Sequence, residues 1–196
     1  LKLKPGDYRW NYEELTDQIY NDHLNGTKSI GIQPCNEDGE TKFGLIDIDP
    51  KNYINFDRKF IIDKIQEYKL PLIPILSKSG ALHLYIFLKK HVDAAALKSF
   101  LSNLLPLFKL KADTEIFPKQ TQLTRDLERG GLRPGQFINL PYFNKTERRA
   151  LNIDGTEFTF EHFIPLVESN LVDPEDLNTI TDGIDKKIFE GADEDF

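Results

Sequence analysis

The sequence predicts an α/β (α+β) protein whose sheet keeps one open polar face. Three observations predict it. In Lys42-Phe43-Gly44-Leu45-Ile46-Asp47-Ile48-Asp49-Pro50, residues Leu45, Asp47 and Asp49 point one way and Ile46 and Ile48 the other, the period of a half-buried strand. In Ala81-Leu82-His83-Leu84-Tyr85-Ile86-Phe87-Leu88, the leucines and Ile86 make an apolar face, with His83 and Tyr85 opposite. Helical stripes separate such strands, and helices alternating with one-sided strands suggest a sheet covered on one side.

In chain order, Asn11-Tyr12-Glu13-Glu14 reads as a capping box, with Asn11 as N-cap of a helix carrying Leu15, Ile19 and Tyr20. Asn25-Gly26 stops it. Residues 29–34 read as a short strand, and Asn36-Glu37-Asp38-Gly39 as the turn of a hairpin into the Asp47 strand. Residues 55–68 fit an amphipathic helix through Phe56, Phe60, Ile61 and Ile65, ended near Pro71. Residues 72–76 are an apolar strand, and the turn Ser77-Lys78-Ser79-Gly80 leads into the His83 strand. Asp93 is the expected cap of a helix with Leu97, Phe100, Leu101 and Leu104, ended by Pro106. Residues 112–117 form a third strand, and the glycine-rich, charged residues 121–135 a mobile loop. Residues 137–141 read as a further strand. Residues 157–188 fit short helices, with Pro174 at a first-turn position.

With 196 residues the chain can bury a real core, as one domain in two lobes. It begins at Leu1 and contains no Met, so a segment of a longer protein is expected. No apolar run approaches the roughly 20 residues of a membrane span, and no signal peptide is visible. The single cysteine, Cys35, excludes an internal disulfide and a cysteine-based metal site, and a reducing, cytoplasmic setting fits. The net charge of −7 argues against a general nucleic-acid binder. It is uneven, however: residues 150–196 hold 13 acidic and 2 basic side chains, against 19 acidic and 23 basic in residues 1–149. A mildly basic body with an acidic tail can still hold a phosphate backbone locally.

The candidate site starts from Asp47 and Asp49. Two residues apart on a strand, their Cα atoms are about 7 Å apart, which lets both reach one or two divalent cations about 3.5–4 Å from each other. Aspartate is a poor strand residue, so two within an apolar run need a reason. The structural alternative is a strand end running into a turn at Asp49-Pro50-Lys51-Asn52. The Ser77-Lys78-Ser79-Gly80 turn can present hydroxyls, backbone N–H groups and an ammonium to an anion, although such turns are common. His83 alone fits a structural histidine as well as a ligand. The third strand offers Asp113 and Glu115 on one face, which periodicity does not separate.

The order of these features resembles the archaeo-eukaryotic primase superfamily. Asp47-Ile48-Asp49 looks like its first motif, an Asp-x-Asp strand, and the stretch from Ser77 through His83 to Phe87 looks like its Ser-x-His-type strand. Glu115-Ile116-Phe117-Pro118-Lys119-Gln120 looks like the third, with Glu where many members carry Asp. Asn139-Leu140-Pro141-Tyr142-Phe143 is similar to a segment that follows in phage, plasmid and CRISPR-associated primase-polymerases. The resemblance implies a two-lobed core, an N-terminal α/β lobe plus a lobe on an RNA-recognition-motif-like sheet. It chooses Glu115 over Asp113. It implies that Asp47, Asp49 and Glu115 hold two Mg²⁺ or Mn²⁺ ions, with His83 beside them. Ser77, Lys78, Ser79, Gly80 and His83 then bind a nucleoside triphosphate, dNTP or NTP, with Lys119 and Asn139 touching the same nucleotide. Arg125, Arg129 and Arg133 are candidates for contact with a single-stranded DNA template, the alternative being a solvated loop. Residues 1–190 would be the catalytic domain and 191–196 an acidic linker to a downstream helicase or other replication domain, in a phage, plasmid or prokaryotic setting. The rivals are a metal-dependent nuclease, a nucleotide-sugar transferase and a replication-initiator module of the same fold without turnover.

Overall fold

The structure, a computed structural model, describes residues 10–11, 14–53, 56–77, 80–126, 131–133 and 135–192. Its first elements are α1 (Asp17–Leu24) and the two-residue β1 (Gly31–Ile32). Next come β2 (Glu40–Ile48), α2 (Arg58–Glu67), β3 (Ile73–Leu76), β4 (Leu82–Asp93), α3 (Ala94–Asn103) and β5 (Glu115–Phe117). The chain continues with β6 (Arg125–Asp126), β7 (Gly131–Leu132), β8 (Ile138–Asn139), α4 (Phe160–Ser169) and α5 (Asp176–Ala192).

The central unit runs β2-α2-β3-β4-α3-β5 and pairs in the order β3-β4-β2-β5, antiparallel throughout. This is a split β-α-β-β-α-β sheet of the RNA-recognition-motif kind, as the resemblance implied. Its helices start where carboxylates cap them. Asp57 accepts from the Phe60 amide at 3.2 Å and Asp93 from the Ala96 amide at 2.8 Å. Ile61, Ile62 and Ile65 of α2 and Leu97, Phe100 and Leu101 of α3 pack on Ile46, Ile48, Leu82, Leu84, Ile86 and Ile116, the apolar face of the sheet. Leu177 and Ile184 of α5 join the same core.

The opposite face is roofed over part of its area. Leu45, Tyr85, Phe117, Ile73 and Ile75 lie beneath Ile138, Tyr142, Ala150 and Phe163. Ala150 bridges to Ile75 on the free edge of β3, and the Leu151 amide donates to the Pro74 carbonyl at 2.8 Å. The next row along the strands opens into a cleft.

Local expectations are corrected at several points. Thr16, not Asn11, is the N-cap of α1, and Leu15 and Tyr20 are exposed. The helix docks through His23, whose Nδ1 accepts from the Ile30 amide at 3.2 Å while Nε2 lies 2.9 Å from the Pro141 carbonyl. Residues 36–39 do turn, with Asn36 Oδ1 accepting from the Asp38 and Glu40 amides. Yet β1 does not form a hairpin with β2: it pairs with β8, Gly31 opposite Asn139. A Cβ at position 31 would overlap the Phe137 ring, so glycine is what lets that ribbon close. The stretch expected as a loop contains the β6–β7 ribbon, Arg125 opposite Leu132. At the end, α5 runs two residues into the stretch expected as linker, and residues 193–196 lie outside the described part.

Candidate active site

The open row is set by strand register. On one face, Ile75, His83, Asp47 and Glu115 stand side by side across β3, β4, β2 and β5. The neighbouring row, Ile73-Tyr85-Leu45-Phe117, is apolar apart from the Tyr85 hydroxyl and buried. A two-residue step along each strand therefore takes the sheet from roofed core to charged cleft floor.

The cleft has a volume of about 750 Å³, within the usual range of roughly 300–1,000 Å³ for ligand sites. Asp47, Asp49, Asp113 and Glu115 give it four carboxylates, and Ser77, His83 and Asn139 line it too. Asn52, Tyr53, Lys111, Thr114, Ile138 and Arg148 are further lining residues. Of the expected residues, Lys119 reaches the site indirectly, its Nζ 2.9 Å from Glu115 Oε1. Gly80 closes the turn behind Ser77, donating to its carbonyl at 3.1 Å, with φ 81°. Lys78, Ser79 and Arg129 lie outside the described residues. Arg125 begins β6; Arg133 is exposed just after β7 and is not among the residues that line the cleft.

Asp47, Asp49 and Glu115 already have protein partners. His83 Nε2 is 3.2 Å from Asp47 Oδ1. Asp49 follows β2 and caps the short 3-10 turn Pro50–Asn52, accepting from the Lys51 amide at 3.1 Å. Strand end and candidate ligand are thus the same residue. As placed, no three His, Cys, Asp or Glu side chains among the described residues converge to hold a metal ion. The donor set still suits hard divalent cations: carboxylate oxygens on one accessible face, each with a second oxygen, and no thiolate.

Charge of the other sign comes from a residue that sequence reasoning did not find. Arg148 is buried, its guanidinium 5.6 Å from the Phe143 ring centroid, with Nη2 donating to Ser29 Oγ at 3.4 Å. In sequence it sits in Glu147-Arg148-Arg149, which reads as a solvated charge run. Its backbone takes a left-handed φ of 56°, as do Tyr142, Asn144 and Lys145 nearby, a conformation uncommon outside glycine. Tyr142 holds this stretch: its hydroxyl donates to the Phe158 carbonyl and accepts from the Ala150 amide, both at 3.1 Å. Burial pushes the Tyr85 phenol far above its ordinary value, with Arg148 opposing and Asp47 adding to the shift. Its hydroxyl finds no hydrogen-bond partner among the described residues, nor does the buried Oδ1 of Asn139. The cleft thus sets four carboxylates against Lys111 and Arg148.

The family described as "TOTE conflict system, Archaeo-Eukaryotic Primase domain" matches this chain over residues 7–166. That span contains every residue of the cleft. No curated protein matches significantly.

Proposed function

The chain belongs to the archaeo-eukaryotic primase domains of the TOTE conflict system, and on that premise we propose that it is a template-dependent nucleotidyltransferase, a DNA primase-polymerase. The observation that carries this reading is the row His83-Asp47-Glu115, set side by side by β-sheet register and opening into a cleft that also holds Asp49. Asp47, Asp49 and Glu115 would hold two divalent cations, Mg²⁺ or Mn²⁺. When bound, these supply the charge that acidifies a primer 3′-hydroxyl and neutralises a leaving pyrophosphate.

The residues of the chain do the positioning. Ser77, Lys78, Ser79, Gly80 and His83 receive the triphosphate, and Arg148 adds a buried cation to the same cleft. Asn139 and Lys119 border the nucleotide. The 3′-oxygen attacks the α-phosphorus, a new P–O bond forms, and pyrophosphate departs. Such a transfer asks for alignment and charge neutralisation and needs no covalent intermediate with the protein. The acidic residues beyond 150 would lie away from a single-stranded DNA template.

The deciding experiment incubates the protein with a single-stranded template, Mn²⁺ and labelled dNTPs or NTPs, with and without primer. Template-dependent product that disappears in Asp47→Asn is the expected result. Cleavage of the template or transfer of a sugar would sink the reading. One observation favours a second reading, a binding module without turnover: the carboxylates face protein partners and do not converge. Nucleotide and Mn²⁺ binding with no incorporation would select it.

A further inference from the structure

The β1–β8 ribbon carries an aromatic pair that the chemistry above does not use. Phe137 lies over Gly31, and its half-buried ring receives Trp10 edge-on, centroids 5.9 Å apart at 88°. Trp10 is the only tryptophan of the chain and keeps 44 % of its surface exposed. The segment beneath is tied down. Gln33 Oε1 accepts from the Gly135 amide, and Gln120 Oε1 accepts from the Gln136 amide at 2.7 Å.

Position supplies the second argument. Phe137 directly precedes Ile138 and Asn139, both of which line the Asp47 cleft, so the pair belongs to the segment that borders it. The described residues bonded to its segment are polar. Gln33 and Gln120 hold the backbone of residues 135 and 136, just before Phe137, and Arg133 is exposed four residues before it. An accessible aromatic face held on a fixed backbone is what unpaired bases stack on. A duplex keeps its bases stacked on one another and offers no such face.

We propose that Trp10 and Phe137 form a base-stacking platform that receives single-stranded nucleic acid beside the Asp47 cleft. The strand's identity as template rests on the primase-polymerase reading; the stacking itself does not. Phe137 fixes the platform through Gly31, and Trp10 supplies the accessible face.

The lone tryptophan makes the test direct. The whole chain is titrated with oligo-dT of about 12 nucleotides, within the roughly 4–16 that such grooves accommodate, and intrinsic fluorescence is followed. Saturable quenching is expected, weaker at higher salt because phosphate contacts accompany the stack, and absent with duplex of the same length. By anisotropy of a labelled oligo-dT, Trp10→Ala should bind roughly tenfold or more weakly, whereas Trp10→Phe should stay within about threefold of wild type because a phenyl face still stacks. Phe137→Leu, which keeps apolar packing over Gly31, should fall between them. KM for nucleotide at saturating template should not move. Emission unaffected by oligo-dT, or full affinity in Trp10→Ala, overturns the platform. So does emission that changes with protein concentration alone, which would make the pair a self-association surface. Incorporation is scored separately. Quenching that depends on Trp10 without any incorporation sinks the polymerase reading and leaves the platform, and incorporation insensitive to Trp10→Ala at limiting template does the reverse.

Discussion

Asp47 and His83 stand opposite each other in the β2–β4 ladder, with His83 Nε2 3.2 Å from Asp47 Oδ1. The imidazole is nearly buried while the carboxylate keeps access to the cleft, so the histidine holds the acid's orientation and still presents a ring edge to whatever enters. Removing His83 should therefore act through the nucleotide. His83→Ala is expected to raise KM for dNTP roughly 10- to 100-fold, the worth of a charge-assisted hydrogen bond, with kcat falling too if the contact tightens in the transition state. Affinity for single-stranded DNA measured without nucleotide should stay within a few-fold. Unchanged nucleotide kinetics with collapsed DNA affinity would move His83 to the template side.

Asp47→Asn and Asp49→Asn should each abolish incorporation and leave the fold intact, as read by circular dichroism and thermal melting. Neither carboxylate supports the core: both open to the cleft, and Asp49 contributes only the cap of a short turn. Near-wild-type synthesis by either variant would remove it from the proposed cation site.

Glu115 and Asp113 separate in the structure where periodicity left them equal. Glu115 is the register partner of Asp47 and is held by Lys119, whereas Asp113 lies in the turn before β5. Glu115→Gln should cost most of the incorporation rate and Asp113→Asn little. The opposite result, read in the same primer-extension assay, would place the third acid two residues earlier.

The part of the site that lies on β2 and β4 was legible because those strands carry the period themselves. Ile46, Ile48, Leu82, Leu84 and Ile86 alternate with Asp47, His83 and Tyr85, and a polar residue inside such a run has to face something. Asp93 was legible as a cap because a helical stripe follows at once. The opening of α1 was not. Asn11 and Glu14 satisfy the capping pattern, but the helix is placed by the two hydrogen bonds of His23, which no periodicity records. The pairing of Gly31 with Asn139 was also hidden, since two-residue strands leave no alternation and the partners are far apart in the chain. Arg148 escaped for a different reason. Its neighbours in sequence are charged and mostly accessible, and only the left-handed turns of residues 142–148 carry it under the roof.

Gly44 gives a stability prediction independent of the site. A Cβ there would sit 2.8 Å from the Phe117 carbonyl oxygen and 2.9 Å and 3.0 Å from Leu97 Cδ2 and Leu101 Cδ1. Both leucines are fully buried, and the oxygen belongs to the β5 backbone, so nothing yields cheaply. Gly44→Ala should destabilise by about 1–3 kcal/mol, the usual cost of overpacking, seen as a lower urea midpoint at unchanged slope. A neutral result would mean that α3 can ride away from the sheet.

His23 should make the chain acid-sensitive. Its Nδ1 accepts from the Ile30 amide, which requires a neutral ring with the proton on Nε2, facing the Pro141 carbonyl. Burial lowers its pKa, the Pro141 hydrogen bond opposes the shift, and Arg148 adds to it. An unfolded chain takes up the proton near its ordinary value of about 6.5, the folded chain only at lower pH. The unfolded state therefore binds more protons in that window. The stability tied to His23 is fully present above about pH 6.5 and is lost as pH falls from there through the lower folded value. Urea midpoints at pH 7 and pH 5 should differ less in His23→Gln than in wild type. Equal differences would show that the imidazole stays neutral in both states or in neither.

Arg148 tests the cleft's cationic side. The guanidinium packs by Phe143, bonds Ser29, and lines the same cleft as Asp47 and Ser77. A triphosphate between Arg148 and the Ser77 turn would meet both. Arg148→Gln should then raise KM for dNTP by roughly 10- to 100-fold, and Arg148→Lys should recover only part of it, because a point charge lacks the planar fork. Melting temperatures of the two variants separate this from loss of packing, since the lysine aliphatic stem keeps much of the contact with Phe143. If both variants melt like wild type and keep its nucleotide KM while oligo-dT affinity falls, the arginine belongs to the template path and the triphosphate lies elsewhere in the cleft.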